Sequence, residues 1–364
     1  MSTAGDESLG TLRVGVVGDV MLGRGVAAEL RRGVRPEEVW GDLLPELQAV
    51  DLLIGNLECA ITTHDVPWSR TPKVFHFRAD PDTAIPVLLA AGFDWLSLAN
   101  NHTLDYEEQG LRDTLRYLDA AGITHGGAGE SADAAFAPRV LQAGEWRVAL
   151  LAATDNMPEW AAGPGSPGLA YITVSSQPTA LADLAVRMDA VRQQNPDLVI
   201  FSAHWGPNMA EFPTMAHRDF ARALARRGVD LFHGHSAHVF QGVEAYGNGL
   251  ILYDTGDFLD DYAVDPYLRN DWSFLFVTEW RGNGSGRLRL IPACLEFARV
   301  RRAMGEEAAR IRETMRRRSV PLGTEFAEEG DELVLDFTWR GRTGERAVGL
   351  PEFPHHPETT TSLP

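Results

Sequence analysis

An α/β architecture with a largely buried sheet is predicted by two observations along the 364 residues. Short β-branched or aliphatic runs alternate with amphipathic helical patterns over most of the chain, as expected of strands covered by helices. Nearly every such run ends in polar residues. Asp19 follows the first, Asn56 and Glu58 the second, Asn100 to His102 the third, His204 the fifth and His233 to His238 the sixth. Ligands of open α/β sheets bind outside the carboxyl ends of the strands, so this recurrence predicts one shared site.

Strands are expected at Leu12 to Gly18, Asp51 to Gly55, Trp95 to Leu98, Val148 to Ala152, Leu198 to Ala203, Asp230 to Phe232 and Leu250 to Tyr253. Each is a short apolar run bounded by turn or polar residues. Helical spacing marks about Asp82 to Ala91, Glu107 to Ala121, Thr179 to Gln194 and Met215 to Arg227. Arg139 to Ala152, broken at Ala143-Gly144, reads as a hairpin, as does Ser273 to Leu290 around Gly282-Asn283-Gly284. Glu306 to Arg318 is a charged helix, and pattern fades after Phe337. The economical division is a catalytic domain over 11–300, a helix-and-strand appendage over 301–345 and a disordered tail over 346–364.

Composition narrows the function classes. The 51 acids against 33 bases give a formal charge of -18, which argues against binding nucleic acid; Lys73 is the only lysine. Two cysteines, Cys59 and Cys294, cannot form a disulfide framework and suit a reducing compartment. No apolar stretch approaches the roughly 20 residues that span a bilayer. A soluble cytoplasmic protein that does not engage membranes is therefore expected.

The strand-end residues are of the types that carry metal and proton-transfer chemistry. Asp19 lies between Gly18 and Gly23, and Asn56 and Glu58 point one way if the backbone stays extended. Asn100-Asn101-His102 is followed by Asp105, so an amide oxygen could bind a cation while a carboxylate orients His102 and makes it more basic. His204-Trp205 adds an imidazole, and His233, His235 and His238 place three more within six residues, with Gly234 permitting a tight approach. Asp254, Asp257, Asp260, Asp261 and Asp265 form an acidic turn in which Asp257 is the candidate partner for a histidine. Trp160, in a Gly/Pro-rich loop, and Trp205 could line a pocket, although Trp205 could equally pack in the core.

These motifs occur together in order: Gly18-Asp19-Val20-Met21, Gly55-Asn56-Leu57-Glu58, Lys73 to Ala79, Asn100 to Asp105, His204-Trp205-Gly206 and Gly234 to His238. In this the chain resembles the capsule-synthesis (poly-γ-glutamate, CapA-type) family, a branch of the calcineurin-like metallophosphoesterases, from about Leu12 to Phe276. The resemblance implies a four-layer α/β/β/α sandwich with a metal site at the strand ends. The chain departs from the phosphoesterase pattern at Met21, where an imidazole is usual, at Asn56, where a bridging aspartate is usual, and in the His235-x-x-His238 spacing. A two-metal clamp of the usual kind is thereby put in doubt.

What remains suits one divalent cation held by Asp19, Glu58 and Asn101, partly through water, with His204 and His233 as further candidate ligands. Calcium, magnesium or manganese match such donors better than zinc. Acid-base pairs are expected from His102 with Asp105, and from His235 or His238 with Asp19 or Asp257; Asn56, Asn100, Trp160 and Trp205 are the candidate substrate contacts. A peptide or γ-glutamyl substrate is expected. Among reactions, epimerisation of the C-terminal residue of a ribosomal, lasso-type precursor peptide is the specific expectation, with a precursor-recognition protein as a possible partner. A phosphoester hydrolase, a capsule-polymer synthesis factor and a binding module without catalysis are the alternatives.

Overall fold

Alternation along the central strands sorts their side chains into three separate cores. The computed structural model describes residues 10–175 and 178–341, and no side chain is described for 178–183. In strand Leu198–His204, Leu198 and Ile200 face one core while Val199, Phe201 and Ala203 face another; Trp146–Thr154 divides Val148 and Leu150 from Ala149 and Leu151 in the same way. Strand Leu52–Leu57 likewise turns Leu52 and Ile54 inward and Leu53 and Leu57 outward. This period of two is what a sheet buried on both faces requires.

The inner core lies between a ten-stranded and a six-stranded sheet. The larger sheet places strand Leu12–Val20 beside Leu52–Leu57, followed by Trp95–Ser97, all parallel. On its other side Leu12–Val20 pairs antiparallel with Trp272–Trp280. The smaller sheet runs Trp146–Thr154, Leu198–His204, Leu231–His235 and Gly249–Leu252, again parallel. Helices Arg24–Arg31, Pro81–Ala91 and Glu107–Ala121 cover the outside of the first sheet, and Met215–Arg226 covers the second. The α/β/β/α order implied by the resemblance is the order found.

Both expected hairpins are present, as Arg139–Ala143 with Trp146–Thr154 and as Trp272–Trp280 with Ser285–Glu296. The segment expected as an appendage is built into the sandwich. Helix Gly305–Ser319 sends Ala308, Ile311 and Met315 into the inner core, and strand Glu332–Thr338 extends the larger sheet with Leu333 and Phe337 buried there. The tail over 346–364 lies outside the described residues. Among the described residues, no helix is long and apolar enough to cross a membrane.

Candidate metal centre

Strand register assembles the site. Asp19 stands opposite Asn56 on one side and opposite Asp257, in the short parallel strand Asp257–Leu259, on the other. In the second sheet His204 stands opposite His235. Two glycines permit the close approaches. A Cβ on Gly18 would lie 1.7 Å from the Gly256 carbonyl, and one on Gly234 would lie 2.0 Å from the Tyr253 carbonyl. The backbone then leaves regular structure: Ser236 and His238 have φ of 111° and 60°, a strained conformation that swings His238 back toward the first sheet's carboxylates.

Two donor groups result, and Asp19 belongs to both. Asp19, His204 and His235 form one; Asp19, Glu58, His238 and Asp257 form the other, with donor atoms in each group within 4.8 Å of one another. In the nitrogen-rich group the two Nδ1 atoms lie 3.0 Å apart, and Asp19 Oδ1 is 3.4 Å from that of His235. Asn56 Nδ2 donates to the same Asp19 Oδ1 at 2.8 Å. In the oxygen-rich group His238 Nδ1 is 2.8 Å from Asp257 Oδ1 and 3.9 Å from Asp19 Oδ2.

The donors fit a cation. Asp19 Oδ2, Glu58 Oε1 and Asp257 Oδ2 are all buried with no hydrogen-bond partner, as is Asn101 Oδ1 nearby on the cavity wall. Buried polar atoms are otherwise almost always paired, so three unpaired carboxylate oxygens in one group mark where positive charge belongs. Burial, and then the neighbouring Asp19 charge, push Glu58 well above the usual carboxylate range. Burial, then Asp260 and Asp19, push Asp257 the same way. Burial alone would depress His238, but Glu58 and Asp19 hold it above the ordinary imidazole value. Burial takes His235 down to about 3 and His204 well below its ordinary value, so both imidazoles of the nitrogen-rich group are neutral.

A cavity of about 410 Å³ opens beside these groups, lined by His102, His238, Asn101, Lys73, Arg24 and Tyr262 among others. His102 Nδ1 lies 2.6 Å from Asp105 Oδ2, which also accepts the Phe77 amide at 2.6 Å, and its ring stacks on Phe77 at 3.9 Å. Lys73 Nζ steadies the pair, 3.1 Å from Asp105 Oδ1 and 2.6 Å from the Asn101 carbonyl. Burial drives both partners toward neutral forms. His102 falls well below its ordinary value, with Lys73 adding to the effect, and Asp105 rises to about 7 although Lys73 opposes the rise. With Nδ1–H committed to Asp105, the Nε2 lone pair of His102 is left for chemistry, 3.8 Å from Glu58 Oε1.

Other expected residues hold this arrangement from behind. Asn100 donates to Asn56 Oδ1 at 3.0 Å and accepts from the His102 amide at 2.9 Å, so a polar chain links His102 to Asp19. His233 lies outside both donor groups: its ring nitrogens meet Ser202 Oγ at 3.2 Å and Thr255 Oγ1 at 3.2 Å. It stands two residues before His235 on the same strand face, its ring centre lies 4.9 Å from that of His235, and both rings meet Ser202 Oγ. Trp205 donates to the Tyr253 carbonyl and packs on Phe232 in the outer core, and Trp160 lies behind Lys73 at 5.0 Å; neither lines the cavity. The cavity instead takes Arg24, Phe75, Phe77 and Tyr262, none of which is among the site residues expected from the sequence. Their signal was position: Arg24 directly follows the Gly18 to Gly23 motif, the two phenylalanines lie in the Lys73–Ala79 motif, and Tyr262 lies within the acidic turn.

Residues 13–262 match the family model described as "Bacterial capsule synthesis protein PGA_cap". "Probable polyglutamine synthesis accessory protein" of Mycobacterium tuberculosis is 31% identical over 91% of this chain and 97% of its own length. "Capsule biosynthesis protein CapA" of Bacillus anthracis is 30% identical over 77% of this chain and 67% of its own. Among solved structures, Haemophilus influenzae NAD nucleotidase overlaps with a TM-score of 0.44 at 12% identity, covering 84% of this chain and 55% of that one. The calcineurin-like phosphoesterase YfkN of Bacillus subtilis overlaps with a TM-score of 0.37 at 11% identity, covering 80% and 88%. On the extent of the sequence match, this chain belongs to the bacterial capsule synthesis protein PGA_cap family.

Proposed function

We propose that this protein is a divalent-metal-dependent enzyme acting on a carboxylate-rich peptide of the poly-γ-glutamyl kind, the polymer that the family resemblance implies; relatives carry names referring to capsule and PGA biosynthesis. The observation that carries the reading is a neutral imidazole–carboxylate pair, His102–Asp105, facing the oxygen-rich donor group across one cavity. Asp19, Glu58, Asp257 and His238 would hold one hard cation, which when bound would polarise an amide carbonyl or acidify a water. His102 Nε2 takes the proton from the attacking water or amine and returns it to the departing amine nitrogen. Asp105, fixed by Lys73 and the Phe77 amide, keeps the ring oriented throughout. The test is incubation of the purified protein with poly-γ-glutamate and added magnesium, manganese, calcium or zinc, following chain length and newly exposed amines. His102→Asn is expected to abolish turnover while leaving cation binding intact. Unchanged polymer with every metal would defeat the reading, and release of nitrophenol from an aryl phosphate alone would favour phosphoester hydrolysis instead.

One observation favours a second reading, epimerisation of a peptide residue. His238–Asp257 is a second imidazole–carboxylate pair on the same cavity as His102–Asp105. One imidazole would remove the Cα proton, the electron pair would pass to the adjoining carboxylate, and the other imidazole would deliver a proton to the opposite face. Deuterium uptake at a single Cα in heavy water, without chain cleavage, distinguishes this reaction from hydrolysis.

A further inference from the structure

The cavity has a charge problem that the donor groups do not solve. Asp19, Glu58, Asp257 and Asp260 are all buried at or beside it, so a polyanionic substrate would be repelled unless a cation outside the metal group received it. Two basic side chains line the cavity, and they are not equivalent. Lys73 is 8% exposed and committed to Asp105 and the Asn101 carbonyl. Arg24 is 42% exposed, and among the described residues its one carboxylate within ion-pair distance is Asp261, approached by Nε at 3.4 Å. The same Asp261 Oδ2 already accepts the Gly25 amide at 2.8 Å. The outer edge of the guanidinium is therefore available.

Its setting is built rather than incidental. Arg24 has φ of 47°, a left-handed conformation costly for a residue with a side chain. Its guanidinium carbon lies 5.5 Å from the Phe77 ring centre and 5.9 Å from those of Phe75 and Tyr262, so three aromatic rings flank it while its outer edge stays exposed. Phe77 stacks in turn on His102, which puts the guanidinium one ring away from the proposed base. A planar fork of donors on an apolar bed suits the bidentate recognition of a carboxylate.

We infer that Arg24 is the specificity-determining residue of the cavity: it receives a substrate carboxylate next to the bond presented to His102. The inference rests on the peptide-substrate reading and adds the requirement that the substrate residue at this point be anionic. It is tested by calorimetric titration of the manganese-loaded full chain with a γ-linked glutamate tetramer and with its neutral carboxamide counterpart. The wild type is expected to bind the acidic tetramer and discriminate against the neutral one. Arg24→Gln should weaken acidic-tetramer binding about 10- to 100-fold, the range of a lost charge-assisted hydrogen bond. Arg24→Lys, which keeps the charge but loses the fork, should fall between, and manganese affinity should be unchanged in both. Equal binding of the acidic tetramer by wild type and Arg24→Gln would overturn the assignment while leaving the peptide reading standing. Equal binding of the two tetramers, or of inorganic phosphate with the same Arg24 dependence, would also overturn it. Failure of the wild type to bind either tetramer would remove both the assignment and the reading beneath it.

Discussion

Replacing Asp19 by Asn should move stability in opposite directions with and without a divalent cation. Without one, the carboxylate crowds Glu58, Asp254 and Asp257, which burial first, and the Asp19 charge in addition, hold above the usual range. Two like charges about 4 Å apart repel by about 4 kcal/mol at an effective dielectric of 20. An amide of the same shape keeps an oxygen for Asn56 Nδ2, now 2.8 Å from Asp19 Oδ1, and removes that repulsion. The metal-free variant should be as stable as the wild type or more stable by about 1 kcal/mol, a rise in melting temperature of about 2 °C for a large domain. With a cation at 100 times its dissociation constant, the wild type gains about 2.7 kcal/mol. Loss of even a supporting group at a metal site costs 10- to 100-fold in affinity. Asp19 belongs to both donor groups, so the upper figure applies and the variant should gain only about 0.4 kcal/mol at the same concentration. Thermal unfolding with chelator and then with magnesium, calcium, manganese or zinc measures both numbers. A wild type that no cation stabilises, or a variant that keeps the full increment, refutes the assignment of these groups to a metal.

Three further outcomes follow from the same geometry. Gly234→Ala would place a methyl carbon 2.0 Å from the Tyr253 carbonyl and should cost more than about 3 kcal/mol, seen in denaturant unfolding or as loss of soluble protein. Trp205→Phe forfeits a 2.9 Å hydrogen bond to that carbonyl and should cost about 1 kcal/mol without altering substrate affinity, since the ring lies in the outer core. Glu211 joins Arg317 and the buried Arg318, and the hydrogen bond from Arg317, then that from Arg318, holds it below its ordinary value of 4.5; the stabilisation is complete above that value and disappears as pH falls through the lower folded one. Glu211→Gln should thus cost about 1–2 kcal/mol at pH 7, a figure discounted for the 29% exposure of Glu211. The difference from wild type should narrow in melting curves as pH falls below 4.5.

Much of the fold was readable because buried parallel strands are short apolar runs and their ends are where polar residues collect. The same rule brought Asp19, Glu58, His102, His204, His235 and His238 into view before any contact was known. What could not be read was lateral order. That Asp257 sits beside Asp19 depends on a register between strands more than two hundred residues apart in sequence. That His235 rather than His233 reaches Asp19 depends on how far the strand runs before it bends. Trp205 offered no local sign of its side, because one residue past a strand end the alternation no longer dictates direction. Arg24 carries no such sign in the sequence, because its setting comes from Phe75, Phe77 and Tyr262, which the chain supplies from two distant segments.

The departures from the phosphoesterase pattern gain a physical meaning once the donors are placed. Met21, standing where an imidazole is usual, is buried among the helix-facing apolar residues, its sulfur accepting the Gly23 amide at 3.0 Å, so it offers the site nothing. Asn56 directs its amide at Asp19 Oδ1, the oxygen closest to the His204 and His235 nitrogens, where a carboxylate would have supplied a bridging acceptor. That bond occupies a lone pair a second cation would need, while Asp19 Oδ2, turned toward Glu58, His238 and Asp257, stays unpaired. The two neutral imidazoles can then satisfy each other across their 3.0 Å contact by sharing one proton. Both changes push the balance from a two-cation clamp toward one oxygen-rich site. On the proposed reading, the chemistry would shift from bracketing a phosphoryl group between metals to proton transfer by an imidazole beside a single cation.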